Sequence, residues 1–472
     1  MFGAALLLAA CGGDDATTTP ATSTAPTSAP ASDGVSFESH VLPIIQANCA
    51  SCHTGDGPGT THLDMATADT IAANAEFIGF KVEDRQMPPW PVTELTEVAF
   101  DFDLGLPEAD KATLLEWVAE GGVLDVDGSM PIESTAPAYP PLEADLTVAP
   151  SEPYTGPDDV RDDYRCRILD PELTDEAWLT GVEVAPDQTQ VLHHAVIFTA
   201  AAGTRADADN RSGSDGRPGW ECNTIPSLSG GDVEQVTAWA PGTGPFVVPE
   251  GTGIRMAAGD YFVVQWHYHY DGEVPADASG IGLEFASDDD VASGLQPVNN
   301  WVFLGPVEIP CAEWESGPLC ERDVAISRIR QEFGIESSFI PQFVNARCGV
   351  SADDFAEFTD GVARSSCDIP VGPANVVALW PHMHELGTEF RFTLNPGEPD
   401  ERVLLDIDKW DFDWQHAYIP TEPVQLEAGD VIRMECAWDR ALWPADLESR
   451  YIVWAEGTED EMCYGTFTAV AG

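Results

Sequence analysis

Lysine is almost missing from this 472-residue chain: Lys81, Lys111 and Lys409 are the only three. Lysine and arginine together number 21 against 81 aspartates and glutamates, a formal net charge of −60. A surface so negative repels phosphate backbones and anionic headgroups, which excludes nucleic acid as a partner. Also missing is any run of about 18 apolar residues, so no membrane-spanning helix is expected. No glycine-rich phosphate loop and no helical repeat occurs. Histidine is scarce as well, ten in all, yet His193 and His194 stand side by side in the apolar run VLHHAVIF. Neighbouring side chains on a strand point to opposite faces, so this placement needs a reason.

The first eleven residues, MFGAALLLAAC, are a short apolar segment ending in Leu8-Ala9-Ala10-Cys11. The segment resembles a bacterial lipoprotein signal (1–11) with Cys11 as the lipid acceptor, although no basic residue precedes the apolar core. Residues 12–35, biased toward Thr, Ser, Ala and Pro, read as a disordered tether. Together they predict a body anchored through lipid on the periplasmic side of a bacterial membrane or at the cell surface. Of the 11 cysteines, one goes to lipid and two to the motif described next. An even set then remains for disulfides in an oxidising compartment.

ANCASCHTG carries Cys49, Cys52 and His53, the CxxCH pattern of covalent c-type haem attachment. A thioether is the usual sixth ligand because it raises the reduction potential. RQMPPW offers Met87 before two prolines that would stiffen its loop. Met65 competes, and Met87 is favoured. LPEADKATLLEWVAEGG predicts an amphipathic helix with Leu114, Leu115, Trp117 and Val118 buried and a glycine stop. Residues 36–128 resemble a small monohaem cytochrome c, which implies an all-α domain holding haem c.

A proline-rich linker (129–144) follows. Beyond it, GDYFVVQWHYHYDG, EFRFTLNP and GDVIRMECAW alternate between turn signals. That pattern predicts antiparallel sheets in sandwiches. Two histidine pairs recur, each with a third candidate ligand at a similar offset: His193 and His194 with His267, then His382 and His384 with Met462. Two related domains with one metal each explain this better than a single composite site. His382 and His384 share a strand face without strain. His193 and His194 need a bulge, or one ring coordinating through its near nitrogen. Three imidazoles suit zinc or copper, whereas two imidazoles with a thioether favour copper that visits Cu(I).

HHAVIF, QWHYH, PHMHELG and EMCYG resemble the ligand motifs of the ascorbate-dependent type II copper monooxygenases, the family of dopamine β-monooxygenase and peptidylglycine α-hydroxylating monooxygenase. The resemblance spans roughly residues 145–472 and implies two jelly-roll sandwiches, 145–305 and 306–472, facing across a solvent-filled cleft. It implies two coppers per chain. His193, His194 and His267 would store electrons, and His382, His384 and Met462 would be the catalytic set where dioxygen attacks a substrate C–H bond. His267 is favoured over His269 by its context. His416 and Met383 are expected to be structural. Where the peptide-amidating branch anchors a carboxylate, this chain has Trp380, Tyr464 and Thr466, which argues against peptide substrates. A Cys436–Cys463 disulfide would aim the methionine loop. Cys311–Cys320 and Cys348–Cys367 are local pairs, and Cys166–Cys222 is what remains.

The expected function is therefore C–H hydroxylation of a small molecule with dioxygen, electrons arriving singly through the haem from a small reductant or a periplasmic redox protein. A non-enzymatic copper-binding or electron-transfer lipoprotein is the alternative. A zinc hydrolase lacks a general base near HHAVIF. The charge makes its own prediction. Because −60 charges repel one another and salt screens them, the thermal midpoint should rise between about 0.05 M and about 1 M NaCl. A midpoint that falls or stays flat in scanning calorimetry would refute a repulsion-limited fold.

Overall fold

The computed structural model describes residues 34–471 except 56, 136–138, 223–225, 227, 271, 273, 356–360, 413 and 446. Cys11 and the 1–11 segment lie outside the described residues, as does nearly all of the 12–35 tether. Among the described residues no helix is long and apolar enough to cross a membrane.

The first part of the described chain is helical: Leu42–Asn48, Ala50–His53, Ala68–Ala73, Ala75–Glu83 and Glu108–Ala119. In the last of these, Leu114 and Trp117 are fully buried while Leu115 and Val118 are half-buried. Residues three apart lie on one helix face, so this pair meets a core of Phe37, Val41, Ile45 and Ile71. The Phe37 and Trp117 rings lie 5.5 Å apart. The helix ends before Gly121, whose φ of +95° is a conformation side chains with a Cβ resist. Ile132 joins this core, so the start of the expected linker is packed onto the helices.

The rest is mainly β. A nine-stranded sheet runs in the order Leu146–Val148, Gly280–Phe285, Ala177–Ala185, Thr252–Met256, Gln296–Leu304, Tyr464–Ala471, Ala374–His382 and Val424–Leu426, with Phe246–Val247 at its side. Its first half is covered by a five-stranded sheet ordered Trp220–Glu221, Asp162–Leu169, Tyr261–His269, Leu192–Ala200, Val233–Trp239. Its second half is covered by a four-stranded sheet ordered Val362–Pro370, Val431–Asp439, Gly387–Leu394, Arg402–Ile407. The two sandwiches therefore share a sheet, joined where Gln296 and Pro297 pair parallel with Thr252 and Gly253. Gln296–Leu304, inside the expected 145–305 sandwich, pairs from Val298 to Leu304 with the C-terminal strand Tyr464–Ala471. Tyr261–His269 is buried on both faces: Phe262 and Val264 enter one core, Tyr261 and Val263 the other. That double burial explains its unbroken apolar start.

Four disulfides brace this part: Cys166–Cys222, Cys311–Cys320, Cys348–Cys367 and Cys436–Cys463.

A strap from Asp84 to Asp101 fastens the helical part to the second sandwich. Thr93 N donates to Asp406 O at 2.9 Å, Glu97 N to Val403 O at 2.9 Å, and Asp101 N to Ile419 O at 2.8 Å. Lys409 Nζ reaches Asp84 Oδ1 at 2.6 Å, and Arg85 pairs with Asp408. Trp90 and Phe100 close on Tyr418 with ring centroids 5.3 and 5.4 Å away. Such aromatic pairs contribute about 0.5–1.5 kcal/mol each beyond area burial. His416, buried beside them, donates to the Pro89 carbonyl, and its Nε2 has no partner.

Burial lowers the His416 pKa to about 4, the Pro89 carbonyl opposing the shift. The unfolded value is about 6.5. The folded value lies below it, so this group's contribution is intact above about pH 6.5 and is lost as pH falls toward 4. His416→Phe should therefore reduce the drop in melting temperature of metal-free protein between about pH 7 and about pH 5. Equal drops for variant and parent would count against this linkage.

Candidate metal centre

The adjacent histidines are accommodated by a bulge. Along the pairing of Leu192–Ala200 with Tyr261–His269, Leu192 opposes Tyr268 and His194 opposes His267, which leaves His193 as the extra residue. A bulge re-aims one side chain, so both rings turn toward His267. Nδ1 of His193 lies 3.2 Å from Nδ1 of His194, and that atom lies 3.1 Å from Nδ1 of His267. An ion about 2.0–2.1 Å from each of three nitrogens at tetrahedral angles sets them about 3.3 Å apart. All three ligand atoms lie within 4.8 Å of one another, so the set fits a small transition-metal ion bound through near nitrogens.

Each partner of His267 fixes this orientation. Its Nε2 donates to Asp162 Oδ1 at 2.9 Å, which leaves Nδ1 as a lone-pair donor. Tyr164 stacks on the ring at 4.2 Å with an interplanar angle of 5°. Asp162 Oδ1 also accepts from His269 Nδ1 at 2.9 Å, so His269, the alternative ligand, sits beside the carboxylate that orients His267. Burial opposes ionisation of Asp162, yet the two imidazole hydrogen bonds outweigh it and hold its carboxyl below the usual range. Burial lowers His267 to about 4, with Asp162 opposing, and lowers His194 well below its usual value, the neighbouring histidines adding to the effect. Neutral imidazoles are the form that binds metal.

The second set lies at the end of the strand Ala374–His382. His382 opposes Tyr464 across the sheet, which brings the chain just before Tyr464, including buried Met462, to the same end. His382 Nδ1 donates to Gln415 Oε1, and His384 Nδ1 to the Asp460 carbonyl at 3.1 Å. Both rings therefore keep Nε2 for a ligand. Burial lowers His382 to about 4, the Gln415 bond opposing. Trp380 stacks on His382 at 5.2 Å and donates to the Gln415 carbonyl at 3.1 Å. It is therefore a packing residue more than an open substrate wall. Met383 is in the core with no exposure.

The solvent-filled cleft implied by the resemblance is not what separates the two sets. The His194 and His382 ring centroids lie 6.3 Å apart. Phe412 fills the remaining space, 4.8 Å from His193, 6.0 Å from His384 and 6.4 Å from His267. The hydrogen bond from Tyr464 Oη to Gln235 Oε1, 2.9 Å, closes the sandwiches nearby. His194, His267, His382 and His384 are all at most 7% exposed. The two sets therefore meet at one largely buried junction of the sandwiches, with His193 and Phe412 half-exposed at it.

In the helical part, Cys49 follows Leu42–Asn48, and Cys52 and His53 lie on Ala50–His53. Both thiols are free and half-buried. Burial, reinforced by Cys52, pushes the Cys49 thiol up to about 12. His53 Nδ1 donates to the Leu63 carbonyl at 2.8 Å, leaving Nε2 available. Gly59 packs on the face of this ring, where a Cβ would come within 2.7 Å of Cε1. Cys49, Cys52 and His53 are thus the residues that would hold a covalently attached haem, two free thiols and an imidazole with Nε2 unused by the Leu63 bond. Met65 is a core residue at 5% exposure. Met87 is half-buried, its N–H bonded to Lys81 O at 3.1 Å.

Asp162, Phe412, Gln415 and the fully buried Glu461 were missed as contributors by sequence reasoning. Gln415 lies in the DWQHAYIP stretch and Glu461 directly precedes Met462, so both had a positional signal. Asp162 is one acid among many in its stretch, with none.

Residues 351–466 match the family described as copper type II ascorbate-dependent monooxygenase, C-terminal domain. This quarter of the chain holds His382, His384 and Met462 and excludes the first histidine set. No curated protein matches. Among solved structures, allantoicase aligns at 8% identity over 61% of this chain and 81% of that one, with a TM-score of 0.15. Coconut cocosin aligns at 11% identity over 70% and 86%, with a TM-score of 0.14. Likeness at that level carries no argument.

Removing the Asp162 carboxylate by Asp162→Ala should weaken copper binding at His193, His194 and His267 about 10–100-fold. Binding at the second set should stay unchanged in the same titration. Equal affinities at the first set would show that Asp162 does not orient His267.

Proposed function

We propose that this chain is a copper-dependent monooxygenase that hydroxylates a C–H bond of a small-molecule substrate with dioxygen, its electrons delivered one at a time through a c-type haem on Cys49, Cys52 and His53. The observation that carries the reading is the close approach of two chemically unlike ligand sets, their His194 and His382 rings 6.3 Å apart, one set lying inside the span that matches the monooxygenase C-terminal domain. Copper at the two sets would supply one-electron storage and dioxygen activation, and haem would supply the single electrons. His193, His194 and His267 are the proposed ligands of the storing site, with Asp162 holding the proton on His267 Nε2. His382, His384 and Met462 are the proposed ligands of the catalytic site, where the soft thioether favours Cu(I). Gln415 and the Asp460 carbonyl hold the protons on His382 and His384 Nδ1. Phe412, 4.8 Å from His193 and 6.0 Å from His384, would limit water in the space between the sets. Burial of this kind strengthens electrostatic interactions and prevents leakage of reactive species.

The strap supports delivery from the helical part. Pro89, two residues after the proposed haem ligand Met87, accepts from His416, the neighbour of the Gln415 that holds His382. The resemblance of residues 1–11 to a lipoprotein signal supports a lipid anchor at Cys11 on the periplasmic side of a membrane. The electron donor upstream would be a small reductant or a periplasmic redox protein. The alternative is a copper-binding electron-transfer lipoprotein, which needs the same ligands but no dioxygen chemistry.

Stopped-flow absorbance of reduced haem mixed with oxygenated buffer tests the reading. Reoxidation should be fast only with copper loaded at both sets, and Met462→Ile should abolish oxygen consumption while the haem spectrum and the first site persist. Reoxidation indifferent to copper would refute haem delivery. Copper-dependent reoxidation with no product from any substrate would favour the electron-transfer alternative.

A further inference from the structure

Four N–H groups converge on one carboxylate beneath the second ligand set. Glu461 has no exposure. Its Oε2 accepts from His384 N at 2.9 Å, Trp438 Nε1 at 3.0 Å and Met462 N at 3.2 Å. Its Oε1 accepts from Leu386 N at 2.6 Å. The donors come from the turn after the histidine pair, from the strand Val431–Asp439 and from the methionine loop itself. Charge-assisted bonds of this kind are roughly twice as strong as neutral ones, and leaving such donors buried without an acceptor is costly.

We propose that Glu461 is a positioning residue for the His382/His384/Met462 site: its carboxylate ties the His384 backbone to the Met462 backbone, so that imidazole and thioether are presented at a preset separation before a metal arrives. The inference rests on the copper reading above. Two other contacts act on the same loop. Cys463 is bonded to Cys436, two residues before Trp438 on the strand that also donates to Glu461. The Asp460 carbonyl accepts from His384 Nδ1, so residues 460–463 hold the histidine turn by ring, backbone and disulfide-braced strand together. The hydrogen bonds of Glu461 go to main-chain N–H groups and the Trp438 indole, so it acts through the main chain that carries the ligands.

Full-length protein loaded with Cu(I) provides the test. X-ray absorption at the copper edge reads sulfur scattering from Met462, and competition with a Cu(I) chelator reads the affinity of each site. Glu461→Gln keeps the side-chain shape but places an NH2 group against at least one N–H. It should lower Cu(I) affinity at this site about 10–100-fold and remove the sulfur scattering, with the His193/His194/His267 affinity unchanged. A folded Glu461→Gln protein that keeps both the scattering and the affinity would overturn the proposal. Absence of sulfur scattering in the unsubstituted protein would overturn the copper reading itself, and the positioning role with it. Should Glu461→Gln fail to fold, Trp438→Phe withdraws one donor while keeping a ring. A smaller loss confined to the second site would then support the proposal, and unchanged affinity would overturn it.

Discussion

A buried imidazole must place two nitrogens, and the pocket is organised around that requirement. His267, His382 and His384 each give one nitrogen to a protein acceptor: Asp162, Gln415 and the Asp460 carbonyl. The other nitrogen of each is thereby free of its proton and available as a donor atom. Without those acceptors the rings would keep no preferred tautomer, and burying them neutral would leave N–H groups unsatisfied. Because each acceptor sits on a different element from its histidine, the requirement also fixes the relative positions of elements within each sandwich.

The acidic composition affects this pocket little. The carboxylates on the outside face water, whereas those near the histidines are bound by specific donors: Asp162 by two imidazoles, Glu461 by four N–H groups. Burial pushes the Glu461 carboxyl up, and the four N–H donors oppose that shift. One residue type thus serves two purposes, and the distinction is made by solvent access.

The helical part is coupled to this pocket through packing. The Trp90, Phe100 and Tyr418 rings and the His416–Pro89 bond place the strap against the segment that carries both Gln415 and Phe412. A shift of the strap at His416 would be felt one residue from the acceptor of His382 and four from the Phe412 ring between the sets. The shared nine-stranded sheet works in the same direction, since Gln296–Leu304 and Tyr464–Ala471 tie the sandwiches by backbone bonds.

By itself, the sequence determined what depends on residue type and local spacing. Alternating and unbroken apolar runs marked the strands Tyr261–His269, Gly387–Leu394 and Val431–Asp439, and Leu114 with Trp117 marked a helix. The histidine pairs were legible because imidazoles are few and their spacing repeats. The adjacency of His193 and His194 pointed to a bulge or to a ring turned on its near nitrogen, and both are present. Tertiary structure alone decided which acids matter, how far apart the two sets lie and what fills the space between them. Asp162 meets His267 from 105 residues away, and Phe412 meets His193 across more than two hundred. Contacts at such separations are set by how sheets stack and strands register, and no local pattern in the chain encodes them.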